Sequence, residues 1–164
     1  MIRRLARHLF SQSAARLFPG DVLQRIAQAV ARSEATHTGE TCFAVESALP
    51  LRAVFAGVQA RDRAIEAFSR LRVWDTAANN GVLLYLLLAD QRIEIVADRG
   101  LQGRVGEEQW RGVCQLMEDR LRAGDPEGAA VQGIEAAARL IAGHFPAGGD
   151  TADENELPDL PHVS

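Results

Sequence analysis

With 164 residues, 47 % of them hydrophobic, the chain holds enough apolar material for one domain with one core. A net charge of −4, a pI near 5.6 and only 5 % aromatic residues exclude the basic, aromatic-studded face that nucleic-acid binding needs. Cys42 and Cys114 lack CxxC spacing and do not make a disulfide scaffold, and no apolar run approaches the ~20 residues that span a bilayer, so the expectation is a soluble chain of a reduced, cytoplasmic compartment.

The charge is unevenly spread. Residues 1–20 carry Arg3, Arg4, Arg7 and Arg16 with no acid, whereas residues 150–164 carry Asp150, Asp153, Glu154, Glu156 and Asp159 with no Lys or Arg. Charged ends of this kind predict a basic amphipathic arm over 1–17 and an acidic disordered tail over 148–164, on either side of a domain over 18–147. In the arm, Ile2, Leu5, Leu9 and Phe10 recur at near-helical spacing between the arginines. Two readings follow: a helix packed on the domain or on a second copy, or a peripheral membrane contact through residues 1–17 with anionic lipid.

Pro19, Gly20 and Asp21 open the next helix, whose inner stripe is Val22, Leu23, Ile26, Ala27 and Val30 and which ends before Thr38-Gly39. Thr41–Leu49 reads as a strand closed by Pro50, and 51–58 as a connection with a helical turn. Ala60, Ala64, Ile65, Phe68 and Leu71 mark a helix over 59–73, with arginines on its wet face. Val82–Leu88 is an unbroken apolar run between Asn79-Asn80-Gly81 and Asp90-Gln91, which fits a strand buried on both faces. Arg92–Ala97 alternates and reads as its hairpin partner. Helices over 107–122 and from Asp125 to Phe145 complete the pattern, with Gly124 as a stop, Asp125 as a cap and Pro126 at the first position. The strand–helix–strand order predicts a right-handed crossover, so strands 41–49 and 81–89 run parallel and 92–98 runs antiparallel. The predicted fold class is α/β, a three-layer αβα sandwich around a small mixed sheet.

This topology gathers distant polar residues at one end of the sheet. The starts of the first two strands and the exit of the third bring Glu40, Asp75, Asn79, Asn80 and Asp98 there, and the helix beginning at Glu107 starts at the same end. All six offer oxygen, and no His or Cys accompanies them at metal spacing, so the set suits Ca²⁺ or Mg²⁺ rather than zinc. Each residue also has an ordinary reading: Asn79-Asn80-Gly81 as a turn, Asp75 and Glu107 as helix-end residues. An exposed, partly neutral site of this kind binds Ca²⁺ weakly, on the order of 10⁻⁴ M or worse. Other chemistries lack their parts. Ser47 lies outside a GxSxG elbow, His37 stands alone, Gly100–Gly103 lacks the glycine pattern and lysine of a phosphate loop, and Cys42 sits on a strand.

Taken together, the helix, the strand after Thr38-Gly39-Glu40, the helix ending at Trp74, the run NNGVLLYLLLAD, the Gly100-Leu101 turn and the late Gly124-Asp125 helix start resemble the TPM domain. That family is named for a thylakoid lumen protein, a photosystem repair protein and a nematode receptor modulator. The resemblance runs from about Phe18 to Phe145 and is most specific from Asn79 to Asp90. It implies an αβα sandwich, divalent-cation binding and an acid-phosphatase activity on phosphorylated small molecules or proteins, with accessory work around membrane-protein complexes as the non-catalytic alternative. The family's acid after the Gly-Leu turn falls on Glu107, and its Asn-Asn-Gly on Asn79, Asn80 and Gly81. The family's Gly-Ile-Gly segment after the Trp is here Asp75-Thr76-Ala77-Ala78.

Overall fold

The computed structural model describes residues 2–148 and 156–164. Its centre is a parallel pair, β1 (Thr41–Glu46) and β2 (Val82–Leu87), in which every residue of both strands is buried. A strand covered on both faces has no use for alternation, which is why both read as continuous apolar runs. β3 (Arg92–Ala97) joins β2 antiparallel, with Val82 opposite Ala97 and Leu87 opposite Arg92. The turn between them places Gln91 in the left-handed region at φ 50.

Helices cover both faces. On one lie α3 (Gly20–Glu34), α6 (Glu107–Arg122) and α7 (Pro126–Ala142). Ile26, Val30, Met117, Ile134 and Ile141 meet Phe43, Val45, Val82, Leu84 and Leu86 there. On the other face α4 (Leu51–Phe55) and α5 (Ala60–Arg70) bring Val54, Ala60, Ala64 and Ala67 against Cys42, Ala44, Leu83, Tyr85 and Leu87. The αβα sandwich is therefore present, as are the parallel crossover and the hairpin. Among the described residues no helix is long and apolar enough to cross a membrane.

Buried polar side chains mark where the sheet is tied to its surroundings. Glu46, at the end of β1, receives a two-pronged bond from Arg63 of α5 at 2.8 and 2.9 Å and the Tyr85 hydroxyl at 2.6 Å. Burial and the neighbouring Glu46 charge hold the Tyr85 phenol neutral far above its usual range.

The arm differs from one continuous helix over 2–18. It forms α1 (Ile2–Leu9) and α2 (Ala14–Leu17), and it packs on the domain at the far end of the sheet. Arg4 reaches Asp90 of the β2–β3 turn at 2.8 Å and the Val58 carbonyl at 2.6 Å. The Leu49 N–H donates to His8 Nδ1 at 3.0 Å, so the ring proton sits on Nε2, 3.3 Å from Asp90. Burial works against the Asp90 charge, but the hydrogen bonds and attraction of Arg4, with His8 and Arg7, outweigh it and hold the carboxyl below its ordinary range.

The expectation of a disordered tail over 148–164 does not hold for its last part, while residues 149–155 of it lie outside the described residues. Residues 156–164 return to the sheet. β4 (His162–Val163) pairs parallel with β1, His162 beside Ala44 and Val163 beside Val45, giving the order β3-β2-β1-β4. The Ser164 N–H donates to the Val45 carbonyl at 3.0 Å, and Leu157 is buried among the α5-side residues. The physical reason is that the β1 edge carries backbone groups that need partners, and this segment supplies them.

Two outcomes are expected. Replacing Asp90 by Ala strands Arg4 and His8 without their acid, costing about 3 kcal/mol in urea unfolding at neutral pH and opening residues 1–12 to proteolysis. Because the folded Asp90 carboxyl titrates below its unfolded value, its contribution is full above about pH 4 and vanishes as pH falls through the folded value. Wild type and Asp90→Ala should therefore converge in stability in acid. Separately, Gly81→Ala should cost about 3 kcal/mol, because a Cβ there would overlap the Val73 carbonyl oxygen, a backbone atom with no room to yield.

Candidate functional site

The rim where β1 and β2 begin and β3 ends is built on backbone bonds. The Val82 N–H donates to the Glu40 carbonyl at 2.8 Å and the Asp98 N–H to the Gly81 carbonyl at 2.9 Å. The Gly100 N–H donates to the Asn79 carbonyl at 2.8 Å, and a Cβ on Gly100 would strike the carbonyls of Ala78 and Asn79. Asn79 itself sits at φ 53, a left-handed turn that asparagine tolerates. Glu40, Asn79, Asn80 and Asp98 thus share one end of the sheet, as the topology required.

Their side chains are spent differently. Asn80 is 1 % exposed; its N–H donates to Thr76 Oγ1 at 3.1 Å and its amide to the Thr38 carbonyl at 2.9 Å, which joins the start of β2 to the start of β1. Its Oδ1 is buried with no hydrogen-bond partner among the described residues. Asp98 accepts the Arg99 N–H on Oδ1 at 2.7 Å, while its Oδ2 is buried with no such partner. The Arg99 guanidinium bonds Asn79 Oδ1 at 2.8 Å. Thr41, the first residue of β1, leaves its Oγ1 buried and unbonded among the described residues as well.

Glu40 is occupied. Its carboxylate receives the N–H groups of Glu156 at 3.1 Å and Leu157 at 3.2 Å, and Glu156 in turn accepts the Ala77 N–H. The returning C-terminal segment therefore lies across the rim. Asp75 is exposed and paired with Arg72 three residues earlier. Glu107 stands apart as the exposed first residue of α6, beside a hollow it shares with Arg61, Arg92, Glu94 and Glu118. Desolvation raises the Glu94 carboxyl in that hollow, although Arg61 and Arg92 oppose the shift.

Among the described residues no three His, Cys, Asp or Glu side chains converge as metal ligands. The oxygens of Asn80, Asp98 and Thr41, buried with no hydrogen-bond partner among the described residues, are hard donors of the kind a divalent cation takes, but they offer one carboxylate. Arg99 and the Glu156–Leu157 segment are the rim residues that spacing did not single out for a role. Arg99 had a signal, its position between Asp98 and Gly100; the C-terminal segment had none. A hollow of about 660 Å³ lies at the opposite end of the sheet between the arm and the α6–α7 junction, lined by Ala6, Phe10, Leu17, Leu86, Leu88 and Pro126.

Known proteins agree with this architecture. No curated protein matches the chain. Among solved structures it is similar to the BA42 protein of the psychrophilic bacterium Bizionia argentinensis, with 24 % identity and a TM-score of 0.76 over 95 % of this chain and 98 % of that one. It is also similar to the N-terminal domain of a P. gingivalis protein, with 16 % identity and a TM-score of 0.63 over 80 % and 81 % of the two chains. At these identities the likeness concerns the fold. The family described as the TPM domain matches residues 12–140, from the end of the arm through nearly all of α7. By that match, and with the Asn79-Asn80-Gly81 corner inside it, the chain belongs to the TPM domain family.

Proposed function

We propose that this TPM domain is a divalent-cation-binding module, with Ca²⁺ or Mg²⁺ held at the rim by Asp98 and by the neutral oxygens around Asn80. The observation that carries the proposal is the pair of buried oxygens unbonded among the described residues, Asn80 Oδ1 just before β2 and Asp98 Oδ2 just after β3, at the same end of the sheet. Buried oxygens of this kind are costly unless a donor, a water or a cation meets them. Such a cation would neutralise phosphate charge, which extends the proposal to metal-dependent hydrolysis of a phosphomonoester, on a phosphorylated small molecule or protein. In that extension Asn80 and Asp98 hold and orient, and the Arg99 guanidinium, bonded to Asn79 Oδ1, is the phosphate-seeking group at this end of the sheet.

The non-catalytic reading, an accessory module for membrane-protein complexes, draws on a different observation. The groups that would serve as base or nucleophile are engaged elsewhere. Glu40 holds Glu156 and Leu157, Asp75 is paired with Arg72, and Ser47 Oγ accepts the Ala14 N–H while donating to the Ser164 carbonyl. Burial pushes the Cys42 thiol up to about 12, so it stays protonated at neutral pH.

One set of measurements separates these readings. With a Kd of about 10⁻⁴ M, roughly 10 mM Ca²⁺ should stabilise the protein by about 2.7 kcal/mol, read as a rise in Tm of several degrees. Asp98→Asn and Asn80→Ala should lose that rise, and Glu107→Gln should keep it. An equal rise in Asp98→Asn, or none in wild type, overturns the cation site. Hydrolysis of a generic phosphomonoester that needs added Ca²⁺ or Mg²⁺ and disappears in Asp98→Asn supports the enzyme; a Tm rise without turnover supports the module.

A further inference from the structure

The arm and its neighbour leave a face uncovered. α1 packs against α4, and the Leu49 N–H bond to His8 fixes the pair. Among the described residues, eight large hydrophobic side chains are exposed, and five of them (Ile2, Leu9, Phe10, Leu51 and Phe55) sit on or beside these two short helices. Ile2 and Phe10 are more than four-fifths exposed. Arg4 and His8 point inward to Asp90 and Leu49, which leaves Ile2, Ala6 and Leu9 along the outer side of α1.

The two segments that build this face carry charge of one sign. From Ile2 to Gly20 and from Ser47 to Ala60 the chain contains no acidic residue, while Arg3, Arg7, Arg16 and Arg52 are exposed. Arg3, Arg16 and Arg52 make no ion pair among the described residues. Of the acids beside the arm, Asp90 is nearly buried beneath it and paired with Arg4 and Arg7, and Glu94 lines the same hollow as these two arginines. Apolar side chains standing proud between unpaired arginines match a lipid headgroup layer, where the arginines meet phosphate and the hydrocarbon enters the acyl boundary.

We infer that the outer face of α1 and α4 docks on an anionic bilayer surface, holding the domain to it as a peripheral module. The arm's bonds to Asp90 give this face a fixed geometry before docking, so contact does not require the helix to order on the membrane. The occupant is argued from charge complementarity; a second copy of the chain would set these arginines against one another.

The full-length protein should cosediment with phosphatidylcholine vesicles containing roughly one-third phosphatidylglycerol, about tenfold more than with phosphatidylcholine alone, and should be released by about 0.5 M salt. The double variants Phe10→Ser with Phe55→Ser and Arg3→Gln with Arg52→Gln should each lower vesicle binding about tenfold or more, with Tm unchanged because all four side chains are exposed. Absence of binding to the anionic vesicles overturns the inference, as does binding that neither double variant weakens. A concentration-dependent dimer that the Phe10/Phe55 variant dissolves, without vesicle binding, assigns the face to a second copy instead and also overturns it.

Discussion

The whole arrangement depends on burying both faces of the β1–β2 pair. Twelve buried positions on two adjacent strands leave polar chemistry mainly the two ends of the sheet. A carboxylate that must lie near such a core is stable only when fixed donors meet it. Three acids at these ends do so in the same way. Glu40 takes the N–H groups of Glu156 and Leu157, Glu46 takes Arg63 and Tyr85, and Asp90 takes Arg4. Each one fastens a different peripheral piece to the sheet: the C-terminal segment, α5 and the arm.

This division of labour explains why the rim offers so few ligands. Two-faced burial and the parallel crossover bring oxygens together there, but the same buried position obliges most of them to find partners within the chain. Glu40 is drawn off by the returning segment and Asn79 by Arg99. What stays available is Asn80 Oδ1, Asp98 Oδ2 and Thr41 Oγ1, atoms set by the ends of three adjacent strands rather than by a loop evolved around a ligand. Were the proposed cation to bind there, one carboxylate among neutral oxygens would give weak, exchangeable binding rather than a permanent structural ion.

Much of this was readable from residue order. The length and flanks of the apolar run fit a strand covered on both sides better than a helix, and Asp90-Gln91 read as the turn into β3. Gly124, Asp125 and Pro126 marked the break between α6 and α7 because each has a conformational reason to stand there. The end of the sheet at which polar residues gather also followed from topology. Which oxygens remain unspent did not, since that depends on contacts distant in sequence: Glu40 with Leu157, 117 residues away, decides it. Glu107 was misleading for the same reason, because the start of α6 turns it toward Glu94 and Arg92. The C-terminal strand lacked any signal. Two residues have no period, and the acidic stretch before them has the composition of a solvated chain.

That short strand has a consequence for how the protein keeps to itself. β1 is six residues long and apolar between Thr41 and Glu46, and His162–Val163 with Ser164 pair along part of its open side. Stripped of that cover, the same hydrogen-bonding groups would present a template for another molecule's strand, the first step of fibril-like stacking. Residues 156–164 thus close that edge by backbone pairing, a cover that does not depend on the side chains at the rim.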